Sequence, residues 1–183
     1  MRYWISSLLL SGVLTTVGAI APVLAAETLN LVFGTQNQRG MEIAVADLRT
    51  YAETGRANGN LQVLLSMATP EQQAEFRQLL TLPFPVKAEQ LQALGEQQSG
   101  ADLLKSVAAA TLRPDDEGIT ALKTAMLKGL NAEGGLTLLA FLEAYPASTM
   151  TIDIIQMQAI LEANKPLMEK YLSRQAQPVT HNQ

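Results

Sequence analysis

The chain has 183 residues, with 13 Lys and Arg against 17 Asp and Glu, for a net charge of −4 at neutral pH. A mildly acidic protein argues against nucleic acid, whose phosphates demand a clustered basic face, and gives anionic lipid no polybasic handle. Cysteine is absent, so disulfides, a thioether-linked lipid and Cys–His chemistry are excluded. The lone histidine, His181, falls in the polar run of residues 175–183, where it is predicted to be a solvated tail residue. A histidine so placed serves neither a Ser–His–Asp triad nor a His-rich zinc site.

Residues 1–25 read as a secretory signal peptide. Arg2 is the only charge before Glu27, and Leu8–Leu10, Val13–Leu14 and Val17–Ile20 form a short apolar run. Pro22 breaks any helix, and Val23-Leu24-Ala25 puts small residues at the −3 and −1 positions before Ala26. An uncleaved membrane anchor is the alternative, but it needs ~20 apolar residues and flanking charge. Ser11-Gly12, Thr15-Thr16 and Gly18 interrupt the run, and no cation closes its far side. Cleavage would remove one Arg and no acid, taking the net charge from −4 to −5. Residues 26–173 then form one domain, long enough to bury a core without staples, and 174–183 a disordered tail.

Glu27–Phe33 alternates as a strand, with Leu29, Leu31 and Phe33 on one face and Thr28, Asn30 and Val32 on the other. Gly34–Gly40 is a polar turn, and Met41–Val45 a second strand with Met41, Ile43 and Val45 on one side. The two make a hairpin, which is marginal alone and needs a helical layer to cover it. From Ala46 the period becomes helical: Leu48, Tyr51 and Ala52 share a face, and Thr54-Gly55 is a stop. Asn60 is placed to cap a second helix holding Leu61, Leu64, Leu65 and Ala68. Thr69-Pro70-Glu71-Gln72 is a strong start signal for a third, which buries Phe76, Leu79 and Leu80 and stops at Pro83 and Pro85.

Ala88–Leu94 is a short helix, a turn follows at Glu96–Gly100, and Ala101–Leu112 continues with Leu103, Leu104, Val107 and Ala108. Arg113-Pro114 breaks the run, and Asp115-Asp116-Glu117 supplies acids to the next helix N-terminus. That helix carries the stripe Ile119, Leu122, Met126 and Leu130, with Lys123 and Lys128 off it. Leu136–Tyr145, apolar nearly all round, belongs at the centre of a bundle and ends at Pro146. Thr149–Asp153 is either a capping stretch or a third strand near the hairpin. The last helix runs from Ile154 to about Leu172, with Ile154, Met157, Leu161, Met168 and Leu172 on one stripe. The fold class is therefore mainly α: a multi-helix bundle with a small N-terminal β-hairpin.

No constellation for catalysis, cofactor or metal emerges. Asp115-Asp116-Glu117-Gly118 is too short for a calcium loop and reads as a helix cap, as does Asp153 ahead of Ile154-Ile155. Asp47 and Glu53 lie six residues apart, on nearly opposite sides of a helix. There is no Gly-x-Ser-x-Gly elbow, Ser-x-x-Lys, phosphate-binding loop or dinucleotide fingerprint. Met126, Met157 and Met168 read first as core filling and second as the lining of an adaptable apolar groove.

The string Met41-Glu-Ile-Ala-Val-Ala-Asp-Leu-Arg-Thr-Tyr-Ala-Glu-Thr-Gly55 closely resembles the opening of an exported cyanobacterial domain of unknown function. That domain often stands at the N-terminus of proteins labelled alpha/beta hydrolase. Leu103–Val107, Ala121–Ala125, Glu133–Pro146 and Thr151–Asp153 look like the same family. The resemblance covers about Glu27 to Leu172, and its motifs are apolar patterns with helix stops. It implies a fold, an exported location and a cyanobacterial source. No catalytic residue carries over, because no position matches one, and the chain ends where larger members would begin a hydrolase domain.

Three functions follow as expectations. The foremost is an exported non-catalytic module that binds a partner protein, such as an envelope hydrolase, in periplasm or thylakoid lumen. The alternative is a small carrier or sensor of an apolar ligand, with Leu136–Leu142 and the methionines lining its pocket. An enzyme in its own right, such as a carboxylate-dependent hydrolase, ranks third. No cofactor or metal is expected, and no stable membrane insertion after cleavage. Mass spectrometry of the protein from its own host should give an N-terminus at Ala26; an intact Met1 in the membrane fraction would show an anchor instead.

Overall fold

The computed structural model describes residues 25–34 and 40–175, and only the backbone at 94 and 167–175. Residues 1–24 of the stretch read as a signal peptide, 35–39 of the polar turn and 176–183 of the stretch read as a tail lie outside the described residues. Strand β1 (Thr28–Val32) pairs antiparallel with β2 (Met41–Ala44), with Leu29 opposite Ile43 and Leu31 opposite Met41. Its other edge is taken by β3 (Thr149–Asp153), which runs parallel to it in the order β2-β1-β3. Thr149–Asp153 is thus a strand, and the hairpin becomes a three-stranded sheet. Leu29, Leu31, Ile43 and Met150 are buried toward the helices. Phe33 departs from the expected alternation: β1 ends at Val32, which is itself buried, and Phe33 is 52% exposed.

Two polar contacts fasten the sheet. Glu27 and Thr28 N–H donate to the Ser148 carbonyl at 2.9 and 3.1 Å, closing the start of the β1–β3 ladder. At its other end Asp153 is 2% exposed, and its Oδ1 accepts from the N–H groups of Gly34, Ile155 and Gln156 at 3.2, 3.0 and 3.2 Å. The last two bonds make it the N-cap of the final helix, as its place before two isoleucines suggests. The first reaches across the sheet to the end of β1.

Helix α1 (Val45–Thr54) follows β2 without a linker, so Val45 opens a helix rather than closing a strand. It buries Val45, Leu48, Tyr51 and Ala52, and ends at Gly55, whose φ of 74° is the left-handed geometry that glycine adopts without strain. Helix α2 (Gly59–Leu65) begins one residue before Asn60, so that side chain does not cap it. Asn60 Nδ2 instead donates to the Glu42 carbonyl at 2.8 Å and ties α2 to β2. Ala68 lies past the helix end, in a turn.

In α3 (Pro70–Thr81) the expected capping box forms in both directions between Thr69 and Gln72. Glu71, in its first turn, has its carboxyl held below the ordinary 4.5, first by its own backbone N–H and then by the Thr69 hydroxyl. Leu80 is fully buried, but Leu79 is 45% exposed, because α3 leans on α1 along one narrow face. There Tyr51 stacks on Phe76, and its hydroxyl donates to the Gln73 carbonyl at 2.8 Å. Arg77 donates to the Ala52 and Glu53 carbonyls, both at 2.9 Å, satisfying the open end of α1.

Helices α4 (Ala88–Glu96) and α5 (Gln98–Ala110) are separated by Gln97 alone, so the expected turn at Glu96–Gly100 is mostly helix. Helix α6 (Asp116–Leu130) starts on Asp115, whose side chain accepts from Gly118 N–H at 2.7 Å, as the acid cluster predicts. Its buried face is Gly118, Ala121, Leu122, Ala125 and Gly129, rotated from the predicted stripe, which shares only Leu122. Small residues face α7 (Leu138–Ala144), whose backbone comes so close that a Cβ at Gly129 would lie 3.4 Å from main-chain atoms of Ala140 and Phe141. That helix is seven residues long and capped by Thr137, shorter than Leu136–Tyr145; Leu139, Leu142 and Tyr145 reach the core. The Arg49–Glu143 ion pair joins it to α1.

Helix α8 (Ile154–Gln175) leaves β3 directly and packs on α5. Ile154 and Met157 are part-buried, whereas Leu161 is exposed, so the expected stripe meets the core only at its start. Met168 and Leu172 lie where side chains are outside the description. The protein is mainly α with a small sheet, and its core runs from the sheet's inner face through α1, α6 and α7.

Asp153→Ala removes one acceptor from three N–H groups and should destabilise the fold by about 3 kcal/mol in urea unfolding. Asp115→Ala, which removes one capping bond, should cost about 1 kcal/mol. Equal losses would show that the cross-sheet bond to Gly34 contributes nothing.

Candidate functional site

The small-residue face of α6 decides where a cavity forms. With Ala121, Ala125 and Gly129 turned to the interior, the larger side chains Met126 and Leu127 point to its flank. Helix α5 presents Leu103, Leu104 and Val107 to the same space. Phe141 of α7 closes one end, and α4 forms the outer wall with Ala88, Leu91 and Gly95. The result is a half-open cleft of about 470 Å³, within the ~300–1,000 Å³ of small-molecule sites. Its polar groups are Gln92 and Glu96 on α4 and Lys123 on α6, all three exposed.

The α4 wall is the least anchored part of the cleft. Its described side chains are exposed or half-exposed, and it packs chiefly on α5. Gly95 lies in this helix with no atom within 4 Å of where a Cβ would stand. Gly95 is next to the last residue of α4, where glycine still weakens the final turn relative to alanine. Gly95 lines the cleft, and no packed neighbour accounts for its missing side chain.

Of the side chains singled out for an apolar pocket, Met126 and Phe141 line the cleft. Met157 does not, and the remainder of Leu136–Leu142 is turned elsewhere. The α5 face Leu103, Leu104 and Val107 was legible as an apolar stripe, but its pairing with α4 was not. The spacing Ala88, Leu91, Gly95 is the signal for the α4 wall, and it is short and weak.

The carboxylates do not converge. Asp115 and Asp153 are helix caps, and Glu117 pairs with Arg113 at 2.9 Å on the surface. Glu53 lies 3.9 Å from Arg49, and no bond joins it to Asp47. Among the described residues no group of three or more His, Asp and Glu is placed to hold a metal ion. None of the described helices is long and apolar enough to cross a membrane.

Residues 25–153 match the family described as alpha/beta hydrolase of unknown function (DUF1400), and the chain belongs to that family. The matched stretch runs through β1, the helices α1–α7 and β3, ending on Asp153, the residue before α8. No curated protein and no solved structure matches the chain. A hydrolase elbow sets its serine on a tight strand-to-helix turn. The two strand-to-helix junctions described here are Ala44–Val45 and Asp153–Ile154, and neither bears a serine.

Gly95→Ala should raise stability by about 0.5–1 kcal/mol in thermal or urea unfolding, since the added methyl meets no neighbour and the helix gains propensity. A loss of stability would mean that α4 closes on the cleft more tightly than this geometry shows.

Proposed function

We propose that this protein is an exported, non-catalytic binding module whose working part is the α4–α6 cleft. The observation that carries the reading is the cleft itself: apolar walls from four helices, polar groups only at its edge, and an outer wall resting mainly on one neighbour. Walls of that composition bind by excluding water from an apolar group, and a loosely held α4 can admit it. This raises the apolar-ligand function above the partner-protein function that the sequence favours. Nothing in the cleft supplies a nucleophile with a base beside it, which supports a role in binding rather than turnover.

A second reading rests on the family's description. A module of this family that stands beside an alpha/beta hydrolase would act on it as a lid or chaperone, and the cleft would receive an apolar segment of that enzyme. The periplasm or thylakoid lumen of a cyanobacterium is the setting we propose for either role.

Organic extraction of protein purified without detergent, followed by mass spectrometry, should release one apolar molecule per chain. An esterase and glycosidase panel should show no turnover. An empty extract together with ester hydrolysis would replace the binding module with an enzyme.

A further inference from the structure

We infer that the α4–α6 cleft holds a single-chain amphiphile with one negative charge, of the fatty-acid class, its chain against Leu104, Val107 and Met126 and its carboxylate at Lys123. This rests on the reading of the cleft as the working part, and adds to it the ligand's shape and charge.

The apolar body of the ligand follows from the walls. A half-open cleft of about 470 Å³ falls within the range of small-molecule sites and accommodates one flexible chain. Met126 and Leu127 are unbranched or γ-branched side chains able to follow such a chain. Gly95 adds to the case: it lines the cleft and relieves no close contact, so its missing side chain leaves that part of the wall open.

The head group follows from the rim. Among the described residues Lys123 is the one cation lining the cleft, and no ion pair engages it. An ammonium beside an apolar cavity favours an anionic oxygen, and the Gln92 side-chain amide offers a further donor at the same rim. Glu96, one turn beyond Gln92, puts a negative charge at this edge. Lys123 and Glu96 leave the rim with no net charge, so one carboxylate paired with Lys123 leaves a single negative charge facing Glu96 and a phosphate monoester leaves two. The rim thus selects a monoanion over both a neutral alcohol and a dianion.

Isothermal titration of the purified full chain with laurate, dodecanol and dodecyl phosphate tests this. Laurate should bind one to one, about fivefold tighter than dodecanol, as suits one solvent-accessible ion pair. Dodecyl phosphate should bind more weakly than laurate. Lys123→Gln should remove the preference for laurate while leaving dodecanol unchanged. Gly95→Leu should abolish binding of all three while the thermal midpoint stays level or rises, which separates a blocked cleft from a misfolded one. Equal binding of laurate and dodecanol, indifferent to Lys123→Gln yet lost in Gly95→Leu, would overturn the head-group assignment and leave the cleft as the working part. Undiminished laurate binding by a folded Gly95→Leu variant, or no binding of any of the three by the natural protein, would overturn both.

Discussion

Strand β1 needs a partner on each edge, and the second partner comes from the far end of the domain. A two-stranded hairpin in water is marginal, so β1 and β2 cannot hold the fold's edge by themselves. The edge is completed by β3, which runs parallel, and a parallel pair demands a crossover. Here that crossover contains helices α1–α7, so sheet and bundle must form together. Asp153 seals the closure with one carboxylate oxygen, binding the end of β1 and the first turn of α8 across 119 residues of sequence. Loop-closure entropy grows only slowly with length, which lets so distant a partner be used.

A second constraint follows inside the bundle. Helix α7 is short and approaches α6 closely at Gly129, where a Cβ would crowd the main chain of Ala140 and Phe141, while Gly118 makes room for the Arg113 backbone instead. Close approach leaves the bulky residues of α6 beside the interface rather than within it. Leu122 and Met126 then face α5 and α4, and α4 is too short and too weakly packed to fill the space between them. The cleft is a by-product of tight packing elsewhere, made into a site by its apolar walls and by the charges at its rim.

Family membership and side-chain chemistry bear on different questions. The family's description names a hydrolase, and the matched residues span the whole sheet and the helices it encloses. Within them Asp115 and Asp153 cap helices, Glu53, Glu117 and Glu143 pair with arginines, and the two strand-to-helix junctions described hold Ala44 and Asp153. The family match covers most of this scaffold, and the function proposed for the chain is argued from the cleft.

Local signals in the sequence determined the helices, the hairpin and the caps. Thr69-Pro70-Glu71-Gln72, Asp115 and Thr54-Gly55 act over three or four residues, so their physics is complete within the segment. Periodicity did less well where a helix has two apolar faces. Of the regular stripe Ile119, Leu122, Met126 and Leu130, Leu122 is buried and Ile119 and Met126 pack half-buried on the core, while the most buried face is shifted toward Ala121, Ala125 and Gly129, because α7 comes close there. Asn60 was legible as a cap and became a tie to β2, and Leu79 and Leu161 were legible as core and remained exposed. Only tertiary structure decided these, along with the parallel pairing of β3, the third bond on Asp153 and the meeting of α4, α5 and α6 around a cleft. Each depends on which elements become neighbours, and that is set by packing across the whole chain rather than by any one stretch of it.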